Sequence, residues 1–178
     1  MNKDTLFSSP EANQRHQDQQ LYALVPYVSS KTQFVEAAKR EKRSYYVGGR
    51  IYTIKQRWNE GDTRLGFGGA VFDSAVVLSH LLMSRKYRKE VVEADRVVEL
   101  GCGLGLSSIV AAAIRKKCVI ATDGDPDLFD LVLENAKNNL DAVAFASFQT
   151  KRLLWGSKTD ADSDSKVSYS INCVAVVP

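Results

Sequence analysis

The chain has 178 residues, of which 44% are hydrophobic and 25% charged, and a formal net charge of +3. That length supports one ordinary buried core, and the composition is that of a globular protein, with no stretch of about 18 apolar residues that could cross a bilayer. A charge this small argues neither for nor against nucleic acid, whose binders crowd their cations onto one face; neither nucleic acid nor membrane is expected as a partner.

Residues 1–43 read as a polar tail and extension. The first 20, MNKDTLFSSPEANQRHQDQQ, hold no apolar run; they carry no secretory signal and are expected to stay flexible. From Leu21 to Arg43 a helical or irregular stretch is predicted, with the basic run Lys39–Arg43 as a solvated helix end. Residues 44–69 read as a β-hairpin and loop. Tyr45-Tyr46-Val47 and Ile51-Tyr52-Thr53-Ile54 flank Gly48-Gly49, a tight-turn signal, the alternation continues to Trp58, and NEGDTRLGFGG is dense in turn residues.

Residues 70–156 carry an alternation of helix and strand. Val71, Ala75, Leu78 and Leu82 recur at helical spacing and predict a helix from Ala70 to about Lys89, its basic end suited to the dipole. Arg96–Leu100 is a short apolar strand, Leu104 to about Lys117 a helix, and Cys118–Thr122 a second strand ending at Asp123. Asp127–Leu140 is a further helix with Pro126 at its start, and Val143–Phe148 a third strand. That order implies a parallel sheet with right-handed crossovers. Residues 157–178 open with the polar linker SKTDADSDSK and end in VSYSINCVAVVP, a fourth strand or a loosely held tail. Cys102, Cys118 and Cys173 are odd in number and contain no Cys-x-x-Cys pair. No metal site or disulfide framework is indicated, and reduced thiols in a cytoplasmic or nuclear setting are the simplest expectation.

The chemistry gathers at GCGLG, residues 101–105, between a strand and a helix. Glycines there let the chain turn sharply and let backbone approach a ligand, and the following helix start suits an anionic group. Asp123 stands 22 positions after Gly101 at the end of the next strand, where an acid accepts hydrogen bonds from ribose hydroxyls; loop and acid support each other, which favours that role over capping the Gly124-Asp125-Pro126 turn. The pattern is G-x-G-x-G, not the G-x-G-x-x-G of dinucleotide sites, and Glu99 just ahead of it suits an ammonium better than a pyrophosphate. S-adenosylmethionine (AdoMet) is therefore favoured over NAD, and the absence of Gly-Lys-Ser/Thr excludes a P-loop.

VVELGCGLGLSSIVAA followed by VIATDGDPDLFDLVLENAKNN resembles the first motifs of class I, seven-β-strand methyltransferases. GGAVFDSAVVLSHLL, LLWGS and the hairpin YYVGGRIYTIKQRW narrow the resemblance to the family-16 group, mostly protein-lysine methyltransferases, over residues 44–156. The resemblance implies an α/β, Rossmann-like sheet of three to four parallel strands preceded by a β-hairpin. It places Gly101, Cys102 and Gly103 at the methionine end of AdoMet, Asp123 on its ribose and Trp155 against adenine; Glu99 and Gly105 are counted with them as cofactor-binding residues. Phe72 stands where the family has Trp, without the indole N–H, and Asp73 and Ser74 match the family beside it. The family's later D-x-x-Y motif has no counterpart in SINCVAVVP, so a chain truncated in its catalytic half is expected, with self-association through an unpaired sheet edge. The reading implied is an AdoMet-dependent protein-lysine N-methyltransferase with a protein substrate; the alternative is a catalytically inactive AdoMet-binding or scaffold fragment. No residue is nominated as catalytic base.

Overall fold

The computed structural model describes residues 31–57, 66–115 and 118–156. Helix α1 (Lys31–Ala38) leads into an antiparallel hairpin, β1 (Lys42–Val47) and β2 (Arg50–Lys55). A short 3-10 turn at Gly66–Gly69 precedes α2 (Asp73–Met83) and α3 (Arg85–Glu93). Strand β3 (Val97–Leu100), helix α4 (Leu106–Arg115) and strand β4 (Val119–Asp123) follow, then a 3-10 turn at Pro126–Leu128, α5 (Phe129–Asn139), α6 (Ala142–Ala146) and β5 (Phe148–Arg152). The larger sheet is parallel, in the order β3-β4-β5.

The hairpin forms because Tyr, Val and Ile favour a pleated, half-buried surface and the turn has no side chains. Gly48 and Gly49 both sit at positive φ, +58° and +84°, which a two-residue turn of this hand requires. Tyr45, Val47, Tyr52 and Ile54 face inward and are buried, while Lys42, Ser44, Tyr46, Ile51 and Thr53 face out. The core continues through α4, whose Leu106, Ile109, Val110, Ala111 and Ala112 are all buried, and through Val119 and Ala121 of β4.

Two asparagines bind the hairpin to the rest. On α5, Asn139 accepts from Thr53 N at 2.9 Å and donates to Thr53 O at 2.8 Å; one turn earlier Asn135 accepts from Lys55 N at 2.8 Å and donates to Lys55 O at 3.1 Å. Four helical residues rise about 6.0 Å and two strand residues about 6.6 Å, so the paired amides stand in for a neighbouring strand. Arg50 Nη2 adds a hydrogen bond to Asn139 O.

Several elements depart from the sequence reading. The segment at Val143–Phe148 is not a strand: Asp141 accepts from Ala144 N at 2.9 Å and caps an Ala-rich helix, and the third strand starts only at Phe148, where that expectation ended. The helix expected over Ala70–Lys89 is broken at Ser84, which is extended (φ −64°, ψ 153°), and starts only at Asp73, leaving Val71 in the lead-in. The helix expected from Leu104 starts at Leu106, because Gly105 at φ +80° keeps the loop going. Lys42 and Arg43 open a strand and do not end a helix. The tail of residues 1–20, Trp58, Cys173 and residues 157–178 lie outside the described residues. Among the described residues β3, four residues long, is paired on one side only, with β4. Among the described residues no helix is long and apolar enough to cross a membrane.

Replacing Asn135 by Ala strips partners from the N–H and C=O of Lys55, and should destabilise the chain by about 2–4 kcal/mol in urea unfolding. The half-exposed ion pair of Lys55 with Glu134, at 2.9 Å, should contribute under about 1 kcal/mol, so Glu134→Ala serves as the mild control.

Candidate functional site

The carboxyl ends of β3 and β4 open into a cavity of about 650 Å³, the position at which open α/β sheets hold ligands. All eight residues singled out from sequence line it: Phe72, Glu99, Gly101, Cys102, Gly103, Gly105, Asp123 and Trp155. Ser74 lines it too, as do Gly68, Val71, Asp125, Leu128 and Leu154, none of which the sequence reading had singled out as site residues.

The glycine loop has its shape because three of its residues adopt positive φ, +68° at Gly101, +48° at Gly103 and +80° at Gly105. At Gly105 a Cβ would come within 2.9 Å of Val132 on α5; at Gly101 it would meet the Trp155 ring at 3.3 Å. Two carboxylates from adjacent strands hold this loop. Asp123 Oδ2 accepts from Gly103 N at 3.0 Å, and Oδ1 accepts from Asp125 N at 3.1 Å. Asp123 thus braces both turns at the cavity, so the turn role weighed from sequence is present, and each oxygen keeps a lone pair for a further donor.

Glu99 is buried on β3 and points at the start of α4, where its Oε2 accepts from Ser108 N at 2.9 Å and from the Ser108 hydroxyl. Burial pushes its carboxyl up to about 7; the hydroxyls of Ser108 and Ser107 and the Ser108 amide work against that, and the charge of Asp123 adds to it. Burial also raises the Cys102 thiol well above its usual range, with Glu99 and Asp123 pushing the same way, so it stays a neutral, poorly nucleophilic group.

The mouth is aromatic. Trp155 is 54% exposed, which removes plain core packing as its role, and it lies over Gly101. Phe72 stacks on Phe34 of α1 with ring centroids 4.8 Å apart, so α1 reaches the rim. Gln56, overlooked in the sequence because it continues a strand's alternation, is buried and positions this rim. It donates to Ala37 O and Arg40 O at 3.0 and 2.9 Å and accepts from Val71 N at 3.0 Å. Among the described residues no group of His, Cys, Asp and Glu could hold a metal.

A family model described as lysine methyltransferase matches residues 53–175. The protein N-lysine methyltransferase METTL21A of Danio rerio is 30% identical over 138 residues, 78% of this chain and 59% of that protein. Its Xenopus tropicalis counterpart is 30% identical over the same length, 78% of this chain and 60% of its own. The protein-lysine methyltransferase METTL21E of Mus musculus is 35% identical over 94 residues, covering 53% and 37%. The chain thus spans about three fifths of the METTL21A relatives it matches.

Glu99 gives a pH signature. The folded chain holds a proton there up to about 7, whereas the unfolded chain releases it near the ordinary 4.5. This contribution to stability is therefore full below that window and is lost as pH rises through it. Relative to Glu99→Gln, the parent should lose up to about 3 kcal/mol across the window in urea titrations. A parallel pair of curves would contradict the burial argument.

Proposed function

The chain belongs to the lysine methyltransferase family, and on that premise we propose that it binds AdoMet in this cavity and transfers the methyl group to a lysine side chain of a protein. The observation that carries the proposal is the glycine-rich loop braced by Asp123, opening on a cavity whose volume falls within the ~300–1,000 Å³ of small-molecule sites.

The residues fit the donor. Backbone at Gly101 and Gly103 can approach its amino-acid end, because no Cβ intervenes, and the buried Glu99 carboxyl faces the same loop. Asp123 has lone pairs left for two ribose hydroxyls, and the exposed Trp155 ring offers a flat apolar face to adenine. When bound, the donor supplies an electrophilic methyl on its sulfonium. The chain's part is then to orient the donor, exclude water and receive a neutral amine in line with the methyl. Phe72 with Phe34, and Leu154 with Trp155, give the mouth apolar walls that would favour the uncharged amine by desolvation. Self-association through the β3 edge belongs to the same proposal, as does a protein acceptor.

Calorimetry with S-adenosylhomocysteine tests the donor site. Asp123→Ala should weaken binding on the order of a hundredfold, the loss of two charge-assisted hydrogen bonds. NAD should give a flat isotherm. Tritiated-methyl transfer from AdoMet to lysines of a cell extract tests the activity: binding without label would reduce the chain to a donor-binding domain, and no binding would overturn the proposal.

A further inference from the structure

On β2, the backbone groups of Thr53 and Lys55 turn toward Asn139 and Asn135. Their partners across the hairpin, Ser44 and Lys42, therefore turn their N–H and C=O to the opposite side, and by the same alternation so does Tyr46, paired with Ile51. Among the described residues nothing hydrogen-bonds these outward groups, and the hairpin stays two-stranded. The register from Lys42↔Lys55 to Val47↔Arg50 is unbroken, with no bulge or proline to blunt the edge.

The side chains beside this edge are graded. At the tip Tyr46 and Ile51, opposite each other, are 69% and 63% exposed. In the middle Ser44 and Thr53 share a hydroxyl hydrogen bond of 2.9 Å. At the base Arg40, Lys42 and Arg57 are exposed. Residues 39–57 carry seven cations and one acid, Glu41; Lys39 and Lys55 are paired with Glu36 and Glu134, so the charge open to a partner at the base is that of Arg40, Lys42 and Arg57. The base also adjoins the cavity: Gln56 holds Val71 N, Arg43 Nη1 reaches Val71 O at 3.4 Å, and Val71 lines the cavity.

We propose that the β1 edge is a docking strip on which an extended, acidic segment of the acceptor protein adds as a third strand, led by the hairpin toward the cavity mouth. Main-chain hydrogen bonds to Lys42, Ser44 and Tyr46 supply the register, an apolar side chain sits on Tyr46 and Ile51, and carboxylates meet the cations at the base. This rests on the acceptor's being a protein.

The test uses the full chain and a fluorescein-labelled alternating glutamate–valine peptide, with a lysine–valine peptide as counterpart. The acidic peptide should bind and the basic one should not, and binding should slow amide exchange at Ser44 and Tyr46. Ser44→Pro removes one outward N–H without touching the hairpin's own ladder and should weaken binding by about tenfold, whereas Ser44→Ala should not. Equal binding by the two peptides, unchanged exchange at Ser44 and Tyr46, or a folded Ser44→Pro chain that binds like the parent would overturn the proposal. So would a dimer in sedimentation that Ser44→Pro dissociates, which would show this edge already paired with a second copy. S-adenosylhomocysteine titration of the same samples separates the two readings: lost donor binding with peptide binding intact sinks the donor site and leaves the strip standing.

Discussion

Asn135 is a small residue with a large share of the architecture. Its amide accepts from Lys55 N and donates to Lys55 O on the hairpin, and the same Nδ2 reaches Leu104 O in the glycine loop at 3.4 Å. It is fully buried, so its own amide cannot turn to water instead. One side chain on α5 thus ties together the outer hairpin, the helix that follows β4 and the loop that shapes the cavity. Asn139, one turn on, repeats the grip on Thr53 and fixes the hairpin's direction as well as its position.

Around that junction the cavity is assembled from backbone more than from side chains. Asp123 and Glu99, from neighbouring strands, each hold a different part of the chain between β3 and α4: Asp123 takes the turn at Gly103, and Glu99 the helix start at Ser108. A carboxylate at a helix N-terminus is electrostatically favoured, while burial without a cation opposes ionisation, and Glu99 lives with both. The loop is stiffened before any ligand arrives, which limits the ordering cost of binding.

Much of this was legible in the sequence because the signals were local. A glycine pair between β-rich runs, a glycine-dense turn after VVEL and an acid at the end of the next strand each mark geometry that few residues can supply. What escaped was tertiary. Val143 and Phe145 alternate like strand residues, yet Asp141 caps them into a helix, because a local hydrogen bond outweighs a weak two-residue period. Ser84 breaks a helix that, read from the sequence, the basic run Arg85–Lys89 carries past its last apolar position, Leu82. Gln56, Asn135 and Asn139 look like ordinary surface polar residues, and only the fold shows which backbone groups they satisfy. Phe34 falls in a segment of unclear pattern and acquires a role only through the Phe72 ring against it.

The hairpin is pinned at both ends along one helix: Arg43 grips Val71 O just ahead of α2, and Gly48 sits so close to Met83 at its far end that a Cβ there would fall 2.0 Å from the methyl carbon. Helix and hairpin therefore share one yardstick. A single residue inserted into α2 would turn its far end by about 100° and slide it about 1.5 Å, taking Met83 out from under the turn. Length changes in this region would thus have to arise together in both elements, and a graft of the hairpin into another scaffold would need to carry α2 with it.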